Sequence, residues 1–147
     1  MSNQQTSAAA KITRECLGLR LRITSRVINK IYNDALRPLG LRSTQVAMLA
    51  FAVERGVLRQ AELCAELQLD DSTLSRNLER MRAKGWIEEV TGDDPRERPY
   101  RMTAKGASLF KRVMPAWEKA QREAGRLLGA DGAKAVRRFA REQGLGV

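Results

Sequence analysis

The chain has 147 residues, 43% of them hydrophobic and 30% charged, which allows one well-buried domain or two small lobes. A formal net charge of +10 suits a polyanionic partner, whereas a sequence with no histidine, no Gly-rich phosphate loop and no GxSxG elbow offers no arrangement for catalysis, so an enzyme is not expected. Cys16 and Cys64 form neither a CxxC pair nor a zinc spacing, so no metal or cofactor is expected. No apolar run reaches bilayer length and the opening MSNQQTSAAA lacks a secretory pattern, so a cytoplasmic chain without a membrane partner is expected.

The positive charge is uneven. Residues 1–58 hold nine Lys/Arg against three Asp/Glu, residues 59–106 hold nine against ten, and residues 107–147 hold nine against four. Bulk attraction to a polyanion therefore lies in the flanks, and any site in the middle must rely on individually placed residues.

Residues 1–11 read as a loose N-terminus. From Ile12 to about Leu36 the pattern is helical with two overlapping apolar stripes, one containing Leu17, Leu21 and Ile28, the other Cys16, Ile23 and Val27. So wide an apolar arc calls for two neighbours, one of which could be a second subunit. Pro38 and Gly40 end this helix; Ser43 or Thr44 can cap the next, which stops near Gly56. Gln60 to Leu67 reads as a short helix with Ala61, Cys64 and Leu67 inward, followed by a tight turn at Gln68 and Leu69.

The stretch LDDSTLSRNLERM comes next. Asp70 or Asp71 suits the start of a helix, accepting from unpaired backbone N–H groups. Leu74, Leu78 and Met81 recur on one face, and Ser72, Arg76 and Glu79 lie opposite, with Thr73 and Arg80 at the margin. Small hydroxyls and a guanidinium near a helix start match the hydrogen-bonding needs of base edges and phosphates, although a solvated face has the same composition. Short helix, tight turn and longer helix together make a helix-turn-helix pattern. After Gly85, Trp86 to Val90 and Tyr100 to Thr103 read as two strands around a charged turn that carries Arg96 and Arg98, the wing of a winged helix. From Ala104 a long helix follows with Phe110, Val113, Trp117, Ala120 and Leu127 on one face. Pro115 is expected to kink it and Gly129 to end it before a last short helix. Tyr32, Phe51 and Trp117 are either core or lining of a ligand pocket.

The fold class expected is mainly α with a small β-hairpin (α+β): a winged helix-turn-helix over residues 41–103, and a helical dimerisation lobe from residues 12–40 and 104–147. The sequence also resembles the MarR-type (multiple antibiotic resistance regulator) transcription factors from about Leu17 to Leu128. The likeness rests on LRPLGLRSTQVAML, on LDDSTLSRNLERMRAKGWIE and on DPRERPYRMTAKG, where Asp94 and Arg96 fall on a DxR wing motif and Met102 stands in place of Leu. The resemblance implies a homodimer that binds a palindromic operator in double-stranded DNA and represses or activates transcription. Ser72, Thr73, Ser75, Arg76 and Asn77 would contact the major groove and its phosphates, and Arg96, oriented by Asp94, would enter the minor groove, with Arg98 as a second candidate. Many members release DNA on binding a small aromatic or phenolic effector between the lobes; others do so on oxidation of a cysteine near the first helix, a role for which Cys16 is the candidate redox sensor. The alternative to a DNA binder is a winged-helix module that binds protein.

Overall fold

The computed structural model describes residues 3–92, 94 and 97–144. It begins with two helices, α1 (Asn3–Glu15) and α2 (Leu17–Leu36), where the sequence suggests a loose start and one continuous helix. Ala8, Ala9 and Ala10 have the strongest helix propensity of any residue and no Gly or Pro interrupts the segment, so it is helical although none of its residues is buried. Cys16 is extended (φ −62°, ψ 109°) and separates the two helices. The break removes the Thr13 carbonyl from the helical ladder, and the Arg20 guanidinium donates to it instead.

Pro38 sits in a 3-10 turn, Arg37–Leu39, that follows α2, and left-handed Gly40 (φ 71°) closes that turn. The start of α3 (Ser43–Arg55) departs from the expected cap. Neither Ser43 nor Thr44 caps through its hydroxyl. Gln45 Oε1 accepts from the Arg42 N–H at 3.0 Å, and Asn33 Oδ1, from α2, accepts from the Ser43 N–H at 2.9 Å. The second bond fixes the angle at which α3 leaves α2.

α4 (Gln60–Leu67) and α5 (Asp71–Ala83) form the helix-turn-helix. On α4 the buried residue is Leu63; Ala61 is exposed, and Cys64 and Leu67 are half-buried. Two turns of helix accommodate several phases, and the core takes the larger leucine rather than the alanine. On α5 Leu74, Leu78 and Met81 are buried as the periodicity requires.

The hairpin pairs β1 (Ile87–Glu89) antiparallel with β2 (Tyr100–Met102), Ile87 opposite Met102 and Glu89 opposite Tyr100. It gains a third backbone partner in Leu58, between α3 and α4. The Leu58 N–H donates to the Tyr100 carbonyl at 2.7 Å and the Tyr100 N–H returns to the Leu58 carbonyl at 2.9 Å. This exchange ties the wing to the helix-turn-helix.

α6 (Ala104–Glu142) packs along α2, and Tyr32 donates its hydroxyl to Gln121 Oε1 between them. Its backbone angles stay helical through Pro115 and leave the helical region at Gly129 (φ 70°, ψ 167°), where the sequence places the end of this helix. The missing proline N–H costs one bond, to the carbonyl of exposed Lys111, which water can satisfy. No helix among the described residues is long and apolar enough to cross a membrane.

α6 starts against the wing. Thr103 accepts from the Gly106 N–H at 3.1 Å and donates its hydroxyl to the Gly85 carbonyl at 2.6 Å, clamping the end of the hairpin. A Cβ added at Gly106 would lie 2.1 Å from the Trp86 carbonyl oxygen, so only glycine permits this approach. Gly106→Ala should therefore lower stability by about 1–3 kcal/mol. Gly125→Ala, on the same helix with nothing within 4 Å of the new methyl group, should raise it by roughly 0.5–1 kcal/mol. Urea unfolding of the two variants checks both signs.

Candidate nucleic-acid interface

The turn into α5 is made by Gln68 in the left-handed region (φ 50°, ψ 44°), with its amide donating to the Ala65 carbonyl at 2.6 Å. Asp70 then caps α5. Its Oδ1 accepts from the Thr73 N–H at 2.8 Å and from the Ser72 hydroxyl at 2.6 Å, and its Oδ2 accepts from the Thr73 hydroxyl at 2.7 Å. The two hydroxyl bonds, followed by the backbone bond, hold the Asp70 carboxyl well below the usual carboxylate range.

With Leu74, Leu78 and Met81 turned into the core, Ser72, Arg76, Glu79 and Arg80 are exposed on the other side, and no part of the described chain covers them. Ser72 and Arg76 lie one turn apart, with Arg76 Nη2 3.4 Å from Ser72 Oγ. Thr73, Ser75 and Asn77 are half-buried on the flanks, and the Asn77 amide donates to the Thr73 carbonyl at 3.0 Å, within the helix. Of the residues proposed from the sequence, Ser72, Arg76 and Arg80 thus form the outward row, and Thr73, Ser75 and Asn77 border it.

In the wing, Arg98 is exposed beside a depression of about 450 Å³ that also touches Asp71 at the start of α5, so the returning limb of the hairpin and the recognition-type helix share one surface. Asp94 is half-buried and its carbonyl accepts from the Glu97 N–H at 3.0 Å. Arg96 lies outside the described residues. Two residues that the sequence does not single out fasten this limb: Arg59, at the start of α4, reaches Glu97 at 3.4 Å and Glu62 at 3.9 Å. Their sequence separation of 38 positions leaves no local pattern that could pair Arg59 with Glu97.

Two clefts run between the end helices and the winged part. The more apolar, about 390 Å³, is lined by Tyr32, Val46, Phe110, Met114 and Trp117, with Asn29 and Ser43 at its edge. The other, about 640 Å³, is lined by Arg37, Arg42, Arg80, Lys84 and Trp86. Tyr32 and Trp117 therefore line a cleft, whereas Phe51 packs on the core with the Arg55 guanidinium 4.6 Å above its ring. Cys16 is exposed at the break between α1 and α2. Cys64 donates its thiol to Asp71 Oδ1 at 3.1 Å, and burial followed by that bond pushes the thiol pKa up, disfavouring a reactive thiolate.

A helix-turn-helix followed at once by a hairpin anchored to it defines a winged helix-turn-helix protein. The comparisons with known proteins narrow the class. The MarR family profile matches residues 39–97. The transcriptional regulator MosR of M. tuberculosis, solved in complex with DNA, superposes with a TM-score of 0.75 at 32% identity, covering 86% of this chain and 92% of that one. A 90-residue stretch is 28% identical to the Bacillus subtilis HTH-type transcriptional regulator YwoH, and a 94-residue stretch is 30% identical to the multiple antibiotic resistance protein MarR of Salmonella typhimurium. These matches cover 61% and 63% of this chain and 66% and 65% of the two relatives, just under two thirds of their length. The chain belongs to the MarR family.

The Asp70 cap has a measurable pH signature. A carboxyl whose folded pKa lies below its unfolded value of about 3.9 stabilises the fold above that value and loses this contribution as pH falls. Thermal unfolding between about pH 6 and pH 2 should show wild type more stable than Asp70→Ala, with the difference shrinking below about pH 4. A constant difference would assign the cap's effect to something other than the ionised carboxylate.

Proposed function

We propose that the protein is a homodimeric, sequence-specific DNA-binding transcriptional regulator, a repressor that recognises a palindromic operator. The observation that carries this reading is the uncovered row of Ser72, Arg76 and Arg80 on α5, beside the exposed Arg98 of the wing. In that reading α5 lies in the major groove. Arg76 recognises a base or phosphate through its planar guanidinium, Thr73, Ser75 and Asn77 contribute from the flanks, and a wing arginine, Arg96 or Arg98, enters the narrow minor groove with Asp94 bracing the turn. MosR, similar over most of its length, is solved on DNA, which supports the same partner here.

Dimerisation is supported by the apolar side chains exposed on the end helices. Leu17, Leu21, Leu127 and Phe139 are 78%, 67%, 59% and 60% exposed, a pattern expected of a surface that a second copy covers. A two-fold pair would set two α5 helices about one DNA turn, ~34 Å, apart. Release by a small aromatic or phenolic effector is supported by the cleft between Tyr32, Phe110 and Trp117. A ring wedged there would separate α3, which carries the winged part, from α2 and α6. The exposed Cys16 at the α1–α2 break makes oxidation the second route for release.

Selection of bound duplexes from a random pool tests the function directly: a two-fold symmetric consensus is expected, and binding to it should weaken steeply as salt rises. A protein-interaction module would enrich no duplex. On the selected site, Arg76→Ala should weaken binding by about 1–3 kcal/mol without changing the oligomer. Arg96→Ala and Arg98→Ala, compared on sites with A·T-rich and G·C-rich flanks, should reveal the inserted arginine by which one loses the A·T preference. In sedimentation, Leu21→Asp combined with Leu127→Asp should convert a dimer into monomers; a persisting dimer would place the interface elsewhere.

A further inference from the structure

The start of α5 carries an unusual assignment of protons. An ionised carboxylate only accepts hydrogen bonds, so the contacts at 2.6 Å and 2.7 Å require that Ser72 and Thr73 both donate their hydroxyl protons to Asp70. Each hydroxyl has a single proton, and neither has another to offer outward. What remains on these oxygens is acceptor capacity, part of it on Ser72 turned toward Arg76. Phosphate oxygens also only accept, and the carboxylates of Asp70 and Asp71 at this end of the helix repel them further. In the major groove the groups that donate are the exocyclic amino groups, N4 of cytosine and N6 of adenine; guanine O6 and N7 and thymine O4 accept.

We propose that Asp70 turns Ser72 and Thr73 into acceptor-only readers, so that the bases facing the start of α5 are selected for an exocyclic amino group and neither hydroxyl donates to a phosphate. The proposal rests on the DNA-binding reading above and specifies what that helix reads.

The test repeats the duplex selection with wild type, Ser72→Ala, Thr73→Val, Asp70→Asn and Asp70→Ser. The first two variants leave the carboxylate in place and identify the positions that depend on each hydroxyl. Both Asp70 variants retain a capping oxygen for the Thr73 N–H but lack acceptor sites for both hydroxyls as well, and their circular dichroism confirms that α5 is intact. At the hydroxyl-dependent positions wild type should prefer cytosine or adenine by about tenfold, and because one remaining oxygen can accept the Thr73 N–H and at most one hydroxyl, each Asp70 variant should tolerate guanine or thymine at one or more of these positions while keeping the preferences set by Arg76. Replacing a selected adenine by purine, which lacks the amino group, should weaken wild type and leave Thr73→Val or Ser72→Ala, whichever removes that contact, unchanged. Guanine or thymine selected by wild type at those positions, no position dependent on either hydroxyl, or an unchanged preference in folded Asp70 variants would overturn the proposal and leave DNA binding standing. No symmetric consensus with wild type would overturn the DNA-binding reading, and this proposal with it.

Discussion

The burial of Leu74, Leu78 and Met81 fixes the rotation of α5 about its axis, and every other property of the candidate interface follows from that rotation. These three residues are at most 1% exposed, and a fully buried leucine or methionine contributes about 1.5–3 kcal/mol. Turning the helix by one residue, about 100°, would expose part of that stripe and bury Ser72 or Arg76 without partners, an outcome penalised on both counts. The outward row is thus specified by what is inside. Asp70 adds the complementary constraint, fixing where the helix begins.

Around this helix the supporting contacts are mostly backbone bonds and close packing, with ion pairs at the periphery. Leu58 and Tyr100 exchange two backbone bonds, Thr103 clamps the Gly85 carbonyl, and Gly106 lets α6 approach the Trp86 carbonyl, so the wing is tied to both the helix-turn-helix and the long end helix. Arg59 with Glu97 and Arg101 with Glu88, at 3.4 Å and 2.7 Å, are exposed pairs of modest energy that orient the wing more than they stabilise it. These pairs also explain why the middle of the chain can be the least basic part and still present selected cations. Much of its charge is neutralised internally, leaving Arg76, Arg80 and Arg98 prominent, while residues 1–58 and 107–147 carry the surplus that would provide long-range attraction.

The coupling between the two parts of the molecule is equally physical. α3 is held to α2 by the Asn33 bond to the Ser43 N–H, and the clefts on either side of that junction are bordered by residues of α2, α3, α5 and α6. A ligand that binds one arrangement of these helices better than another would shift the balance between the arrangements by an amount set by its differential affinity.

Much of this was legible in the residue order. Leu74, Leu78 and Met81 at helical spacing gave away the α5 face, the Asp70–Asp71 pair its start, and the change of period after Gly85 the hairpin, because each signal lies within one or two turns of chain, while the choice of Asp70 as the cap came from the structure. Other features were decided only by the tertiary structure. Leu63 rather than Ala61 faces the core of α4, Asn33 rather than Ser43 satisfies the start of α3, Leu58 extends the hairpin, and the Arg20 guanidinium meets the carbonyl freed by the break at Cys16. Sequence periodicity determines which face of an element is apolar, since burial rewards that locally. The partner that each polar group or short helix finds depends on which distant segments the packed core brings within about 3 Å, and that distance exists only once the chain has folded.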